Sequence, residues 1–138
     1  MTLQDPRIAA LLAGRSGLRV IPDVHGNWTA LQPLLAGADR AGLATLFLGD
    51  LVDRGPDSPT VVREVLRRLD AGTALLLPGN HDSKFARWMA GNPVQIDAAL
   101  EQTIAQFDAA PDGQALRAAY AAAVRQAPAW CAAGRHLF

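Results

Sequence analysis

The sequence of 138 residues contains one cysteine, no net charge and no long apolar run. The single cysteine, Cys131, excludes an internal disulfide framework and favours a reducing compartment. We expect it to be a small buried side chain rather than a catalytic thiol, because no nucleophile motif accompanies it. No stretch approaches the roughly 18 apolar residues of a membrane span, and the N-terminus lacks a signal-peptide pattern. These absences predict a cytoplasmic protein without a membrane partner.

The charges balance, with 13 basic and 13 acidic residues, so no overall field attracts long nucleic acid. The composition, 50% apolar and 19% charged, is typical of a globular protein. No repeat and no low-complexity linker divides the chain. Residues 1–138 are therefore predicted to form a single domain.

Three short apolar runs predict strands at residues 18–21, 44–48 and 73–77. Each run is apolar on both faces, as in strands of a parallel sheet that is covered on two sides. Helical patterns lie between them, one from Trp28 to near Gly42 and one that opens at Ser58-Pro59 and stops at Gly72. The order β-α-β-α-β predicts an α/β fold with a right-handed parallel core.

The second of these helices is predicted to have Ser58 as its N-cap and Pro59 at its first position. Its arginines, Arg63, Arg67 and Arg68, are expected on the exposed face. After the third strand, residues 83–126 are rich in alanine and predict a helical, cap-like segment with a break at 111–113. Its expected apolar stripe consists of Ile96, Leu100, Ile104 and Phe107.

Each predicted strand is followed directly by a polar cluster: "DVHGN" at 23–27, "GDLVDRG" at 49–55 and "GNHD" at 79–82. Any one of these clusters alone is typical of a turn or a helix cap. The spacing from Asp23 to Asp50 is 27 positions and from Asp50 to Asn80 is 30, the length of a strand-helix-strand unit. A parallel sheet brings such clusters to the same carboxyl edge.

Clustered carboxylates repel each other unless a cation binds them, so three clusters in register favour a metal site. Carboxylate, imidazole and amide groups without thiolate suit Mn²⁺, Fe or Zn²⁺. Asp50, in the central cluster, is the natural bridge between two ions, and paired ions are suited to phosphoester hydrolysis. Arg54 could hold phosphate oxygens with its planar guanidinium.

The three motifs, in this order, resemble those of the calcineurin-like metallophosphoesterases. They are most similar to the branch that contains the phosphoprotein phosphatases and the bis(5'-nucleosyl)tetraphosphatases. Within it, "GDLVDRGPDSP" and the stretch from "AGTALLLPGNHD" to "LEQTIAQFDA" look most similar to the phosphatase domain of bacterial polynucleotide kinase-phosphatase. The resemblance implies that this chain forms the N-terminal portion of the αββα sandwich of the family.

The resemblance also implies a metal-ligand set and two divalent ions. Asp23 and His25 would bind the first ion, Asp50 would bridge, and Asn80 would bind the second ion and contact substrate. Mn²⁺ is the expected metal, with Fe, Zn²⁺ and Ni²⁺ as alternatives.

The same resemblance assigns catalytic roles to three further positions. His81 would be the general acid that protonates the leaving oxygen, and Asp53 would hold and tune it. Arg54 would bind the phosphoryl group. A histidine paired with a carboxylate has its charged form stabilised, which suits this acid role.

One departure from the family is expected to matter. Family members supply two more histidine ligands, from a "VHAG"-like strand end and a later "GH" motif, and neither motif occurs here. His136 is the remaining histidine, and we expect it to be a partly exposed residue near the terminus, with a metal-ligand role as the less favoured alternative. The chain is therefore predicted to be an incomplete domain. Its sheet would be left partly uncovered, which favours pairing with a second copy in a homo-oligomer.

Two functional hypotheses follow. The first is an enzyme that hydrolyses phosphate mono- or diesters through a metal-bound hydroxide, acting on a phosphoprotein, a nucleotide such as a dinucleoside polyphosphate, or a nucleic-acid end. The alternative is a truncated chain, a metal-binding fragment or assembly module with weak activity or none.

Overall fold

A computed structural model of the protein describes residues 5–138. In chain order the helices and strands are α1 (Pro6–Leu12), β1 (Gly17–Ile21), α2 (Trp28–Arg40), β2 (Leu43–Phe47), α3 (Ser58–Asp70), β3 (Ala74–Leu76), α4 (Asn80–Met89), α5 (Ala98–Ala109), α6 (Gly113–Gln126), β4 (Ala132–Ala133) and β5 (His136–Leu137). None of these helices has both the length and the apolar character that crossing a membrane requires.

The first three strands form one parallel sheet in the order β1-β2-β3. α2 connects the first pair and α3 connects the second pair, so the predicted β-α-β-α-β core is confirmed. The short strands β4 and β5 form a separate antiparallel pair. Every parallel strand therefore ends at the same edge of the sheet.

The sheet is apolar on both faces, as the sequence predicts, and each face packs into its own core. Phe47 belongs to the larger core, with side chains of α2, α3, α5 and α6. Leu46 belongs to the smaller core, together with Ile8 and Leu11 of α1 and with Cys131. Cys131 is fully buried, as expected.

The predicted helical segment consists of α4, α5 and α6, and the predicted break separates α5 from α6. α6 packs against α3, α4 and α5, and α5 also packs against α3. The predicted stripe was wrong at Ile96, which precedes α5 and is 54% exposed. Leu100 and Phe107 are buried. Thr103 and Gln106 of α5 donate hydrogen bonds to Asp53 and Gly55, which places this helix against the loop after β2.

The N-cap of α3 is Asp57, so the prediction of Ser58 as the N-cap was wrong. Asp57 has a non-helical φ of −148° and its Oδ1 accepts a hydrogen bond of 3.1 Å from the Thr60 amide. Ser58 is already helical, and its amide donates instead to Gln106 of α5. The local cap therefore lies one residue before the predicted position, and the Ser58 amide makes a tertiary contact with α5.

The expectation that Arg68 is exposed was also wrong, since its side chain is only 5% exposed. It donates two hydrogen bonds to Asp39 of α2, of 2.8 and 2.7 Å, and one of 2.7 Å to Glu64. The guanidinium of Arg68 lowers the pKa of Asp39, and those of Arg67 and Arg68 lower the pKa of Glu64. Arg68 thus joins α2 to α3 by ion pairs.

Replacing Arg68 with methionine should lower the free energy of unfolding at neutral pH by about 1–2 kcal/mol, a modest value because Asp39 stays solvated. Both carboxyl pKa values are lowered by folding, so this stabilisation is present above the unfolded pKa values and is lost as pH falls through the folded ones. Urea unfolding at neutral pH and at a pH below both lowered pKa values, which lie under their ordinary values of about 4, measures the difference.

The matched control is Arg67→Met, because Arg67 is largely exposed and, within residues 5–138, forms an ion pair with Glu64 alone. We expect this control to change stability by less than about 0.5 kcal/mol. An equal loss for Arg68→Met at both pH values would contradict the ion-pair explanation.

Candidate metal centre

The three polar clusters meet at the carboxyl edge of the sheet, as predicted. The His25 amide donates to the Asp50 carbonyl over 2.8 Å, which joins the loops after β1 and β2. The His81 amide, at the start of α4, donates to Asp50 Oδ1 over 3.0 Å, which joins the loops after β2 and β3. Asp50 therefore lies between the other two clusters in space as well as in sequence.

Three side chains in this region could hold a metal ion together. His25, Asp50 and His81 each offer one ligand atom, and these atoms lie within 4.8 Å of one another. The two imidazole rings meet edge to face with centroids 5.0 Å apart. Imidazole and carboxylate form a donor set that suits Mn²⁺, Fe or Zn²⁺, so the residues fit a divalent cation.

The hydrogen-bond partners of His25 and His81 indicate which ring nitrogen of each residue carries the proton. His25 Nδ1 lies 2.9 Å from the Val52 carbonyl, which can only accept, so Nδ1 carries the proton and Nε2 has the free lone pair. His81 Nδ1 lies 2.7 Å from Asp53 Oδ2. This contact leaves Nε2 of His81 to face a metal or a substrate.

The remaining residues predicted for the site lie at the same edge but outside that group of three. Asp23 is exposed in the loop after β1, and Asn80 is exposed at the first position of α4. Arg54 is exposed and forms no ion pair with another residue in the range 5–138. His136 is exposed on β5, as expected. The metal and substrate roles of Asp23, Asn80 and Arg54 stay predictions.

Several non-glycine residues of the site have a strained, left-handed backbone conformation. Five non-glycine residues of the described chain have a left-handed φ, and all five lie in the first two clusters. They are Asp23 (35°), His25 (46°), Asp50 (49°), Asp53 (70°) and Arg54 (70°). Such conformations cost about 1–3 kcal/mol each and persist where surrounding contacts hold them, as at binding sites.

Two glycines allow the loops after β2 and β3 to touch. A Cβ on Gly49 would overlap the amide of Gly79, and a Cβ on Gly79 would overlap the carboxylate of Asp50. The φ of Gly49 is also +84°, which favours glycine. The two loops can therefore approach more closely than side chains would permit.

The buried carboxylate of Asp82 links these two loops by hydrogen bonds. It accepts hydrogen bonds from the amides of Asp50 (2.6 Å), Leu51 (2.8 Å) and Gly79 (2.8 Å), and from the Tyr120 hydroxyl of α6. Burial raises the pKa of Asp82, although these hydrogen bonds oppose the shift. Burial, and then the neighbouring Asp82, raise the pKa of Tyr120 well above its ordinary value.

Asp82 lies in the third predicted cluster but had no predicted role, and three supporting residues could not be recognised from the sequence: Tyr120 of α6, and Thr103 and Gln106 of α5, which contact the loop after β2. Asp82 has a recognisable local signal, because an acidic residue at the third position of a helix can complete a capping box. The other three are isolated polar residues on helices with no local signal of their partners.

Comparisons with known proteins agree with this geometry. Residues 18–121 match the calcineurin-like phosphoesterase family. The chain is 38% identical over 100 residues to the asymmetrical bis(5'-nucleosyl)-tetraphosphatase PrpE of Halalkalibacterium halodurans, covering 65% of this chain and 41% of that protein. It is 33% identical over 99 residues to PrpE of Bacillus subtilis, covering 64% and 41%. This chain thus spans about two fifths of these relatives.

A solved structure shows the same relationship. The crystal structure of a metallophosphoesterase from Sphaerobacter thermophilus matches this fold with a TM-score of 0.57 and 25% sequence identity. The match covers 87% of this chain and 44% of that one. The predicted fold class, part of a metallophosphoesterase domain, is thereby confirmed, as is the predicted branch of the family.

Proposed function

The chain belongs to the calcineurin-like phosphoesterase family, and on that premise we propose that it contributes the metal-binding edge of a metal-dependent phosphoesterase. The observation that carries the proposal is the convergence of His25, Asp50 and His81 at one edge of the sheet. The buried carboxylate of Asp53 behind His81 adds to it, because this contact fixes the ring so that Nε2 faces the site.

Two divalent ions, with Mn²⁺ as the first choice and Fe, Zn²⁺ or Ni²⁺ as alternatives, are the proposed cofactors. Asp23, His25 and Asp50 would hold one ion, and Asp50 and Asn80 the other. Bound ions of this kind neutralise phosphoryl charge and make water a better nucleophile. Asp50 suits a bridging position because it contacts both other clusters, accepting from the His25 amide with its carbonyl and from the His81 amide with Oδ1.

The chain's own residues would then bind the ester and supply a proton. His81 keeps its Nδ1 on Asp53 and presents Nε2, from which a proton could pass to the leaving oxygen. Arg54, exposed beside Asp53, could take the phosphoryl oxygens. Asn80, exposed at the start of α4, could contact the same group.

The favoured substrate is a nucleotide of the dinucleoside polyphosphate class, because the relatives reported above are named for that activity. Phosphoproteins and nucleic-acid ends remain the alternatives, and the finer likeness to polynucleotide kinase-phosphatase stays a prediction. We also propose a cytoplasmic location, on the basis of the single buried thiol.

The second candidate function is a metal-binding fragment or assembly module of low activity. It is favoured by the length of the chain, about two fifths of the relatives. In this view residues 1–138 form one incomplete domain. The predicted homo-oligomer also stays a proposal, supported by the outer edge of β3, which pairs with no strand in residues 5–138.

The test is hydrolysis of an aryl phosphate monoester and diester by the purified chain with added Mn²⁺. We expect turnover that needs the metal and that falls by about 100-fold or more in Asp50→Asn, because a bridging ligand is lost. The matched control is Asp70→Asn, an exposed aspartate at the end of α3. No metal-dependent turnover above the Asp50→Asn level would favour the fragment alternative.

A further inference from the structure

Two polar side chains of α5 contact the loop that follows β2. Thr103 Oγ1 donates to Asp53 Oδ1 over 2.6 Å and accepts from the Asp53 amide over 3.1 Å. Gln106 Nε2 donates to the Gly55 carbonyl, and its Oε1 accepts from the Ser58 amide, both over 2.9 Å. Thr103 and Gln106 are one helical turn apart, so the same face of α5 makes all four hydrogen bonds.

These contacts enclose the most strained part of the site. Asp53 and Arg54 are consecutive residues with φ of 70° each, and neither is a glycine. Two adjacent left-handed residues relax to an ordinary conformation unless their neighbours hold them. Thr103 holds the loop at Asp53, and Gln106 holds it at Gly55 and Ser58, on the two sides of Arg54.

The contact with Thr103 also completes the environment of the Asp53 carboxylate. Asp53 is 1% exposed, and its Oδ2 is the partner of His81 Nδ1. Thr103 occupies the other oxygen, so the carboxylate has a partner on each side and a fixed orientation. The Thr103 side chain is therefore suited to orient Asp53 toward His81.

We propose that Thr103 and Gln106 are positioning residues that hold loop 53–58 in place, including its two left-handed residues Asp53 and Arg54. Through that loop they direct Asp53 at His81 and fix the backbone on both sides of Arg54. The positioning of the loop and of Asp53 follows from these contacts alone, whereas the expected effect on phosphate binding rests on the proposed function. The competing explanation is that Thr103 and Gln106 only fill space in the packing of α5, in which case apolar residues of similar size would serve equally well.

Thr103→Val and Thr103→Ser separate hydrogen bonding from packing, because valine keeps the shape and serine keeps the hydroxyl. Two quantities are measured. The first is the set of ring ¹⁵N shifts of His81 in the metal-free protein, at a pH at which the imidazole rings are neutral. The second is the rate of hydrogen exchange of the Asp53 amide. We expect valine to convert His81 from a single Nδ1–H tautomer to a mixture and to accelerate that exchange about tenfold. Serine should restore both signals.

Gln106→Leu tests the second anchor, and Gln102→Leu is its matched control, since Gln102 is exposed on the same helix. We expect about tenfold faster exchange of the Ser58 amide in Gln106→Leu and no change in the control. Binding of inorganic phosphate in the presence of Mn²⁺ should weaken about tenfold in Gln106→Leu, because the Arg54 backbone is no longer fixed, and should stay unchanged in Gln102→Leu.

Wild-type His81 shifts and wild-type protection of the Asp53 and Ser58 amides in folded Thr103→Val and Gln106→Leu proteins would overturn the proposal. If the valine variant does not fold, the Gln106→Leu and Gln102→Leu pair decides by the Ser58 exchange rate. A wild-type protein that binds no phosphate would count against the proposed function, while the metal-free exchange and ¹⁵N data would still decide the positioning roles.

Discussion

Replacing His81 with asparagine should lower the rate of phosphoester hydrolysis by about 10²–10⁴-fold, the usual range for loss of a general acid. Asparagine keeps a donor near the position of Nδ1, where His81 meets Asp53 at 2.7 Å, but it has no group at the position of Nε2. The substitution therefore removes the proton donor while preserving the contact behind it. Steady-state kinetics with Mn²⁺ would measure the loss.

The choice of leaving group distinguishes the acid role of His81 from a metal-ligand role, which its closeness to His25 and Asp50 also allows. An acid assists esters with a poor leaving group most, so the loss should be larger for an alkyl phosphate than for a nitrophenyl phosphate. If His81 is a ligand instead, both esters should lose rate equally and Mn²⁺ affinity should fall. The matched control is His136→Asn, at an exposed histidine on β5.

Replacing Asp82 with alanine should lower the free energy of unfolding by about 3–5 kcal/mol, because it leaves buried donors without an acceptor. Three backbone amides and the Tyr120 hydroxyl all donate to this one carboxylate. Such a loss is a large share of the 5–15 kcal/mol typical of a small domain. Urea unfolding, with a check that the slope is unchanged, is the measurement.

Two companion variants show whether the lost hydrogen bonds are the cause. Tyr120→Phe removes a single donor and should cost about 1–3 kcal/mol, less than Asp82→Ala. Asp70→Ala, at an exposed position on α3, should change stability by less than about 0.5 kcal/mol. A loss below about 1 kcal/mol for Asp82→Ala would mean that water or a shifted loop satisfies the same donors.

The strands and the gathering of the polar clusters could be predicted because they depend on short-range pattern. Runs that are apolar on both faces specify parallel strands, and a repeat of about 30 residues brings the cluster after each strand to one edge. His25, Asp50 and His81 could be predicted to lie close together in this way. The motif resemblance then supplied roles that spacing alone does not.

The supporting contacts could not be predicted, because they join distant parts of the chain. Thr103 lies 50 residues from Asp53, and Tyr120 lies 38 residues from Asp82. A lone polar residue on an alanine-rich helix is compatible with many environments. Arg68 shows the same limit, since its helical position resembled those of its exposed neighbours until α2 supplied Asp39.

The buried carboxylate of Asp82 has a consequence for the order in which the protein folds. Its bonds to the Asp50 and Leu51 amides span 32 and 31 residues, and its bond to Tyr120 spans 38. Contacts of this separation form only after the entropy of closing long loops has been overcome. We therefore expect the geometry of the candidate metal site to form late in folding, so that a partly folded chain presents its histidines and aspartates only as separate ligands.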